Sequence, residues 1–496
     1  MGSSKDALTA DHVRRPAGRL DAAAALSPYS GPWNGHFAAH LLRRAGFGGS
    51  SHDIERAASA GMNAAVDSLL RFSVSSLPDR PDGDFAFDGA APQQRRAAVI
   101  ATQLWWLNRI LLTPNPLEER MVYFWANHFT SAIGAGVTPQ MLVAQYDLFR
   151  RHALGNFSEL THAVSKDAAM LLYLNGAQNR KGEPNENYAR ELMELFTMGV
   201  GNYSEADVRE GARAFTGYSV RRIDGSVIYR PRLHDDGSKT FLGRFGDFNG
   251  DDIVDIIMQQ PATARFMASK FLSAFVYDDP EPELIGALAS VLLANYDVGT
   301  VLSVVLRSNV FYSQRAYRAL VKSPLDLVIG SLKTLGASAV GPGIDGAMAR
   351  MGQTLLYPPN VAGWPGGSQW INESTLLARL NLLNQVVYYR QSAGSASAPA
   401  MTGAMQPRAA MAPAGGIADP VSWIGNAAID DAGDVTERVL GSILQDDSTP
   451  QQRATILGYL QTDSVGNFVR LNKENIDEKI RGAVSLVFAM PAYQLM

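Results

Sequence analysis

Apolar residues recur at the helical period in one segment of this sequence after another, and that repetition constrains the fold most. "HFAAHLLRRAGFGG", "SSHDIERAASAGMNAAVDSLL", "QQRRAAVIATQLWWLNRILL", "PLEERMVYFWANHFTSA" and "PQMLVAQYDLFRRHALGNF" all space them three and four apart. This spacing gives an α-helix one apolar face. The punctuation agrees. Ser50 and Ser51 stand as N-caps, Pro116 sits near a first turn, and Gly46, Gly48 and Gly155 close helices. Only "SVRRIDGSVIYR" alternates at the strand period, around Asp224-Gly225, the pair a type I′ hairpin turn prefers. The expected fold is mainly α: a multi-helix globular body with a small β-hairpin insert near 218–246.

Residues 1–30 read as a mobile tail. Arg14 and Arg15 are followed by Pro16 and Gly18, and "AAAAL" is too short for the apolar stretch of a signal peptide, so none is visible. A loop rich in Pro, Asp and Gly spans 73–93. The Ala, Ser, Gly, Pro and Met run at 392–416 reads as a flexible linker. It divides a main helical domain, 31–391, from a small helical C-terminal unit, 417–496, expected to dock on the body.

Composition removes several classes of function. The chain has no cysteine, which excludes disulfides, thiolate nucleophiles and Cys-based zinc sites. A net charge of -4 offers no basic excess for phosphates, so nucleic acid is not an expected partner. No apolar run reaches the roughly 18 residues of a transmembrane helix. The metalloprotease helix motif and the nucleophile elbow are absent, and "GSKT" lacks the upstream glycine of a phosphate loop.

The polar residues form a few groups. "NENYARELMELFTMG" has Asn185 as N-cap, with Tyr188, Leu192, Leu195 and Phe196 on one arc. Glu186, Arg190, Glu191 and Glu194 fall on the other. Two readings stand: a solvated i, i+4 ladder, or a face turned to a cleft. In "RLHDDGSKT", His234, Asp235 and Lys239 follow the hairpin on a loop, read either as an Asp-Gly turn or as a site. In the site reading His234 and Asp235 act with Glu186, Arg190 and Glu191 in acid–base catalysis or hold an oxygen-preferring metal. Arg190 or Lys239 would bind an anion and His128 would lie beneath.

His128 lies on the apolar arc with Leu117, Met121 and Phe124, as a core histidine or a ligand. Trp364 and Trp370, in "PPNVAGWPGGSQW", line a groove or pack a crossover loop. His36 and His40 make an i, i+4 pair without a third ligand. Asp247, Asn249 and Asp251 alternate as in a calcium loop, but Asp252 and Met258 occupy the glycine and glutamate positions. A helix start capped by Asp251 or Asp252 is the plainer reading.

"NENYARELMELFTMGVGNYSEADVREGARAFTGYSV" strongly resembles the core of the bacterial domain-of-unknown-function family number 1800. So do "HLLRRAGFG", "FWANHFTS", "MLLYLNGAQN", "RLHDDGSKTFLG", "QQPATARFMASKFLSAFV", "VKSPLDLVIGSLKTLG" and "PPNVAGWPGGSQWINESTLLARLN". The likeness runs in the family's order over 36–390, and "PAYQLM" at the end fits too. It implies a mainly helical protein, typically exported, often encoded beside a protein of the sulfatase/alkaline-phosphatase-like class. It implies no particular reaction, cofactor or metal. Phe196 stands where some relatives carry His. Two functions are expected: a helical binding or assembly protein acting with that neighbour, or an enzyme of hydrolytic or transfer type. The first is favoured because no catalytic constellation is complete. An enzyme gathers its polar groups in one pocket, whereas a binding protein scatters them and exposes apolar surface.

Overall fold

The computed structural model describes residues 21–73, 91–388, 420–425, 430–445 and 447–496. Among these are 22 α-helices and two antiparallel two-stranded sheets, with 60% of the described residues in helices of all types. The 392–416 segment and most of the 73–93 loop lie outside the described residues.

Three helices, Pro92–Leu112, Pro116–His128 and Pro139–Arg151, meet around one carboxylate. Glu119 is 0% exposed. It accepts from Arg109 Nε at 2.6 Å, from Arg150 Nε at 2.6 Å and Nη2 at 3.0 Å, and from Trp106 Nε1 at 3.1 Å. Trp106 and Trp125 are fully buried beside it in the main core. That core is continuous. It takes in Leu302 and Val305 of Val298–Arg307, Leu327 and Leu332 of Pro324–Thr334, and Val484 and Val487 of Ile476–Ala489. The last helix therefore packs as a core element, and Tyr493 beyond it donates to or accepts from Ser331 at 2.8 Å.

Part of the expected N-terminal tail is built into the body. Ala22–Leu26 is a helix capped by Asp21, whose side chain accepts from Ala23 and Ala24. Val310 N–H donates to Ala25 at 2.9 Å and Tyr29 N–H to Arg307 at 2.7 Å. The Ala-rich run is too short for a signal peptide yet long enough for one turn of helix, and this pairing holds it.

Helix ends follow expectation at Ser50, which forms a capping box with Asp53, and at Pro116. Elsewhere they differ. Phe47, not a glycine, takes the left-handed position after Gly35–Gly46 (φ 62°); its ring is buried under Arg120, 3.7 Å away. The helix Gly250–Met258 is capped by Asn249, with Asp252 closing the box. Asp251 instead pairs with His162 and Lys166.

The β insert holds two hairpins. In the first, β1 (Tyr218–Arg221) pairs with β2 (Ser226–Tyr229), Arg221 facing Ser226. Four residues separate the strands, so Asp224-Gly225 is not a two-residue turn. Asp224 instead accepts from Ser226 N–H and Arg221. In the second, β3 (Lys239–Phe241) pairs with β4 (Arg244–Gly246). Here Leu242 and Gly243 alone make the turn, both with positive φ (46° and 77°), as a type I′ turn requires. Lys239 thus starts a strand.

Glu119 yields a stability prediction. Burial alone would raise its carboxyl pKa, but Arg150 and Arg109 outweigh it and hold the group below the usual range. Its contribution is therefore complete above about pH 4.3, the ordinary glutamate value, and is lost as pH falls toward the folded pKa. Glu119→Gln removes the carboxylate paired with Arg109, leaves Arg150 only Asp147, 2.9 Å away, and should cost about 3 kcal/mol. The urea midpoint at neutral pH measures this, and the variant's acid dependence should be the flatter.

Candidate functional site

Of the residues singled out by sequence, Glu186 and Arg190 form one cluster and His234, Asp235 and Lys239 another, at opposite ends of one helix. That helix, Glu205–Ala214, is capped by Ser204 with Asp207 completing the box. At its start, Arg190 reaches from Asn187–Glu191 and donates to both Glu205 oxygens, at 2.7 and 2.8 Å. It also donates to Glu186 at 3.1 Å. The Arg190, Glu186 and Glu205 side chains are 32%, 40% and 65% exposed, so the cluster faces solvent. Glu194 does not join the ladder but accepts from Tyr203 Oη at 2.6 Å. Glu191 is half-buried; burial, and then Glu194, raise its pKa.

At the helix's other end, Arg213 holds Asp235 through Nε at 2.9 Å and Nη2 at 3.1 Å. Asp235 also accepts from Gly237 N–H at 3.0 Å. The Arg213 hydrogen bonds outweigh burial and hold its carboxyl down at about 2. His234 is buried, its Nδ1–H donating to the Thr216 carbonyl at 3.0 Å. Lys239 is buried too, and its Nζ donates to the Asp235 and Gly237 carbonyls at 2.7 and 2.9 Å. Burial lowers its pKa. The structure thus brings His234, Asp235 and Lys239 together. It leaves Arg190 and Glu186 a helix length away, about 12 Å from Glu205 to Arg213 at 1.5 Å per residue.

His128 lies in the aromatic core among Phe124, Trp125, Phe129 and Phe157. Its Nε2–H donates to the Phe196 carbonyl at 2.9 Å. Burial, and then Lys270, push its pKa down to about 3, so the ring is neutral. Phe196 belongs to a π-helical turn, Leu192–Thr197, in which Met198 N–H returns five residues to Met193. Such turns interrupt helices where a side chain must be re-aimed.

Trp364 is buried, stacked 6.2 Å from Tyr123, and its main-chain N–H donates to Asn127 Oδ1 at 2.7 Å. Gly363 has φ 87°, and a Cβ there would lie 2.3 Å from Asn127 Oδ1, so the loop is pressed onto the helix end. His36 stacks on Tyr317 while His40 bonds the Phe311 carbonyl at 2.9 Å. Among the described residues no three His, Asp or Glu side chains gather in metal-binding geometry.

An open cleft of about 590 Å³ lies beside the first hairpin, within the usual size of a ligand site. Asn179 organises it, donating to the Ala212 carbonyl and accepting from Asn185 N–H, both at 2.8 Å. Lys181 N–H to the Leu233 carbonyl closes one end at 2.8 Å. Gln178, Arg180, Glu183, Tyr218 and Leu233 line the cleft. Arg180 and Glu183 pair with each other at 2.5 Å. Tyr229 is exposed, its ring 5.2 Å from that of Tyr218. Sequence reasoning did not weigh these residues as a site, although "MLLYLNGAQN" was among the strings that carried the resemblance.

A family described as a protein of unknown function (DUF1800) matches residues 40–495. The chain belongs to the DUF1800 family. The match takes in the C-terminal helices, the cleft and both charged clusters. No curated protein and no solved structure matches.

Two predictions follow from the clusters. Arg190→Ala should cost less than about 1 kcal/mol in chemical denaturation, since its partners are solvated. Asp235 has a depressed folded pKa, so its stabilisation is present above about pH 4 and is lost as pH falls toward 2. Asp235→Asn should lower the thermal midpoint at neutral pH and narrow the gap to wild type near pH 3.

Proposed function

We propose that this DUF1800 protein is a helical binding or assembly protein whose ligand face is the cleft between residues 177–185 and the first hairpin. The carrying observation is the separation of the polar groups. His234, Asp235 and Lys239 are engaged by Thr216, Arg213 and main-chain carbonyls. Arg190 is engaged with Glu205 and Glu186 at the far end of the same helix. Side chains with satisfied structural bonds hold the β insert in place and leave the cleft as the shaped surface.

The cleft's own chemistry favours a polypeptide. Its Arg180–Glu183 charges cancel. The Tyr218 ring and Leu233 offer apolar contact, and the Gln178 amide can both donate and accept, as an extended backbone needs. The exposed Tyr229 and Leu233 extend that apolar edge. The partner we assign is the sulfatase/alkaline-phosphatase-like neighbour that the family resemblance implies.

The test is binding of that purified neighbour, followed by calorimetry. Leu233→Asp and Tyr218→Ala should each weaken it at least tenfold while circular dichroism and thermal midpoint stay unchanged. Turnover of a phosphate or sulfate ester that His234→Gln abolishes without unfolding the protein would replace the binding reading with the enzymatic one.

A further inference from the structure

Among the described residues, an excess of buried positive charge lies away from that cleft, where the N-terminal helices meet the C-terminal ones. Arg43 and Arg44 end the helix Gly35–Gly46. Arg44 donates to the Ala316 carbonyl at 2.6 Å, and its Nε and Nη1 are buried without an acceptor. Arg43 donates to Gln445 Oε1 at 2.7 Å; its Nε and Nη2 are likewise buried, with no acceptor in bonding geometry. Arg379, 0% exposed, donates to the Lys322 carbonyl at 2.9 Å and leaves its Nε unmatched. Lys322 is 6% exposed, with Nζ 3.6 Å above the Tyr493 ring and no carboxylate within 4 Å among the described residues.

The acids nearby are few and occupied. Asp326 accepts from Arg120 at 2.6 Å and from Ser323 Oγ at 2.6 Å. Asp447 faces Arg318 at 3.0 Å. Six cations, Arg43, Arg44, Arg120, Arg318, Lys322 and Arg379, thus stand against three carboxylates, the third being Asp278, whose charge acts on Arg44. Uncompensated charge away from water is costly. The unpartnered atoms of these arginines are donors, so what relieves them accepts hydrogen bonds, and the excess of positive charge favours an anion over the neutral acceptors present, the Tyr317 hydroxyl and His40 Nδ1.

Arg43, Lys322, Asp326, Gln445 and Tyr493 line a cavity of about 30 Å³. That is the room of one or two water-sized particles and too little for a tetrahedral oxyanion. We infer that this cavity is a binding site for one halide-sized anion, held between Arg43 and Lys322, that fastens the C-terminal helices to the body. The walls support the fastening role. Gln445 follows the helix Ala432–Leu444, and Tyr493 lies beyond Ile476–Ala489, whereas Arg43 and Lys322 belong to the body.

The alternative relief is loss of the Lys322 proton, since burial, and then Arg43 and Arg318, push its pKa well below the usual value. The two are separable. At fixed ionic strength, sodium gluconate, too large for the cavity, is exchanged for sodium chloride while thermal unfolding is followed. A bound anion should raise the midpoint saturably, by about 2 °C or more. Lys322→Met and Arg43→Gln should each abolish that chloride-specific rise. Sodium bromide should act like chloride and give an anomalous-scattering peak between Arg43 and Lys322 in crystals. Equal midpoints in gluconate and chloride overturn the site, as does a rise that survives in the variants. If Lys322→Met does not fold, Arg43→Gln and the wild-type titration decide.

Discussion

Glu119 holds a negative charge in a place that water does not reach, and the two neighbouring helices supply the answering donors. A lone carboxylate there would be untenable, so the helices bearing Arg109, Arg150 and Trp106 cannot separate without exposing an unpaired charge. This fixes the helix that carries Glu119. Its far end carries Asn127 and His128, which receive the Trp364 main-chain N–H and reach the Phe196 carbonyl. The position of the π-helical turn, and through it of Arg190 and Glu194, descends from the same charge.

Much of the fold was legible because a helix in a large core must show an apolar arc. Leu117 and Met121 were read on the buried side of His128, and both are fully buried. What was not legible depended on contacts between distant residues. Glu119 stands in "PLEERM", which looks like a solvated first turn, and nothing local says that Arg150 comes to meet it. The second hairpin escaped because leucine rarely takes positive φ. Leu242 does so because β3 and β4 pair across only two residues.

The candidate residues were partly legible in the same sense. Arg190 between Glu186 and Glu194 has ladder spacing, and the Glu186 contact forms. Its stronger partner is Glu205, fifteen residues on, brought near by the turn between two helices. His234 and Asp235 looked available because they flank an Asp-Gly pair, yet Thr216 and Arg213 claim them from another element. Sequence lists groups that can ionise; only the packed chain says which are already engaged. The cleft's Gln178 and Tyr218 carry no charge, so they gave no signal of that kind.

The pairing of Ala25 with Val310 has a consequence for the order in which the protein can be completed. These partners are 285 residues apart. At a synthesis rate of about 5–20 residues per second, the Ala22–Leu26 segment waits roughly 15–60 s on the ribosome before its partner exists. A single turn of helix is not stable alone over that time. The segment therefore cannot dock before residues 307–310 have been made, and closing it leaves Tyr29 resting against Tyr312, with ring centres 4.8 Å apart.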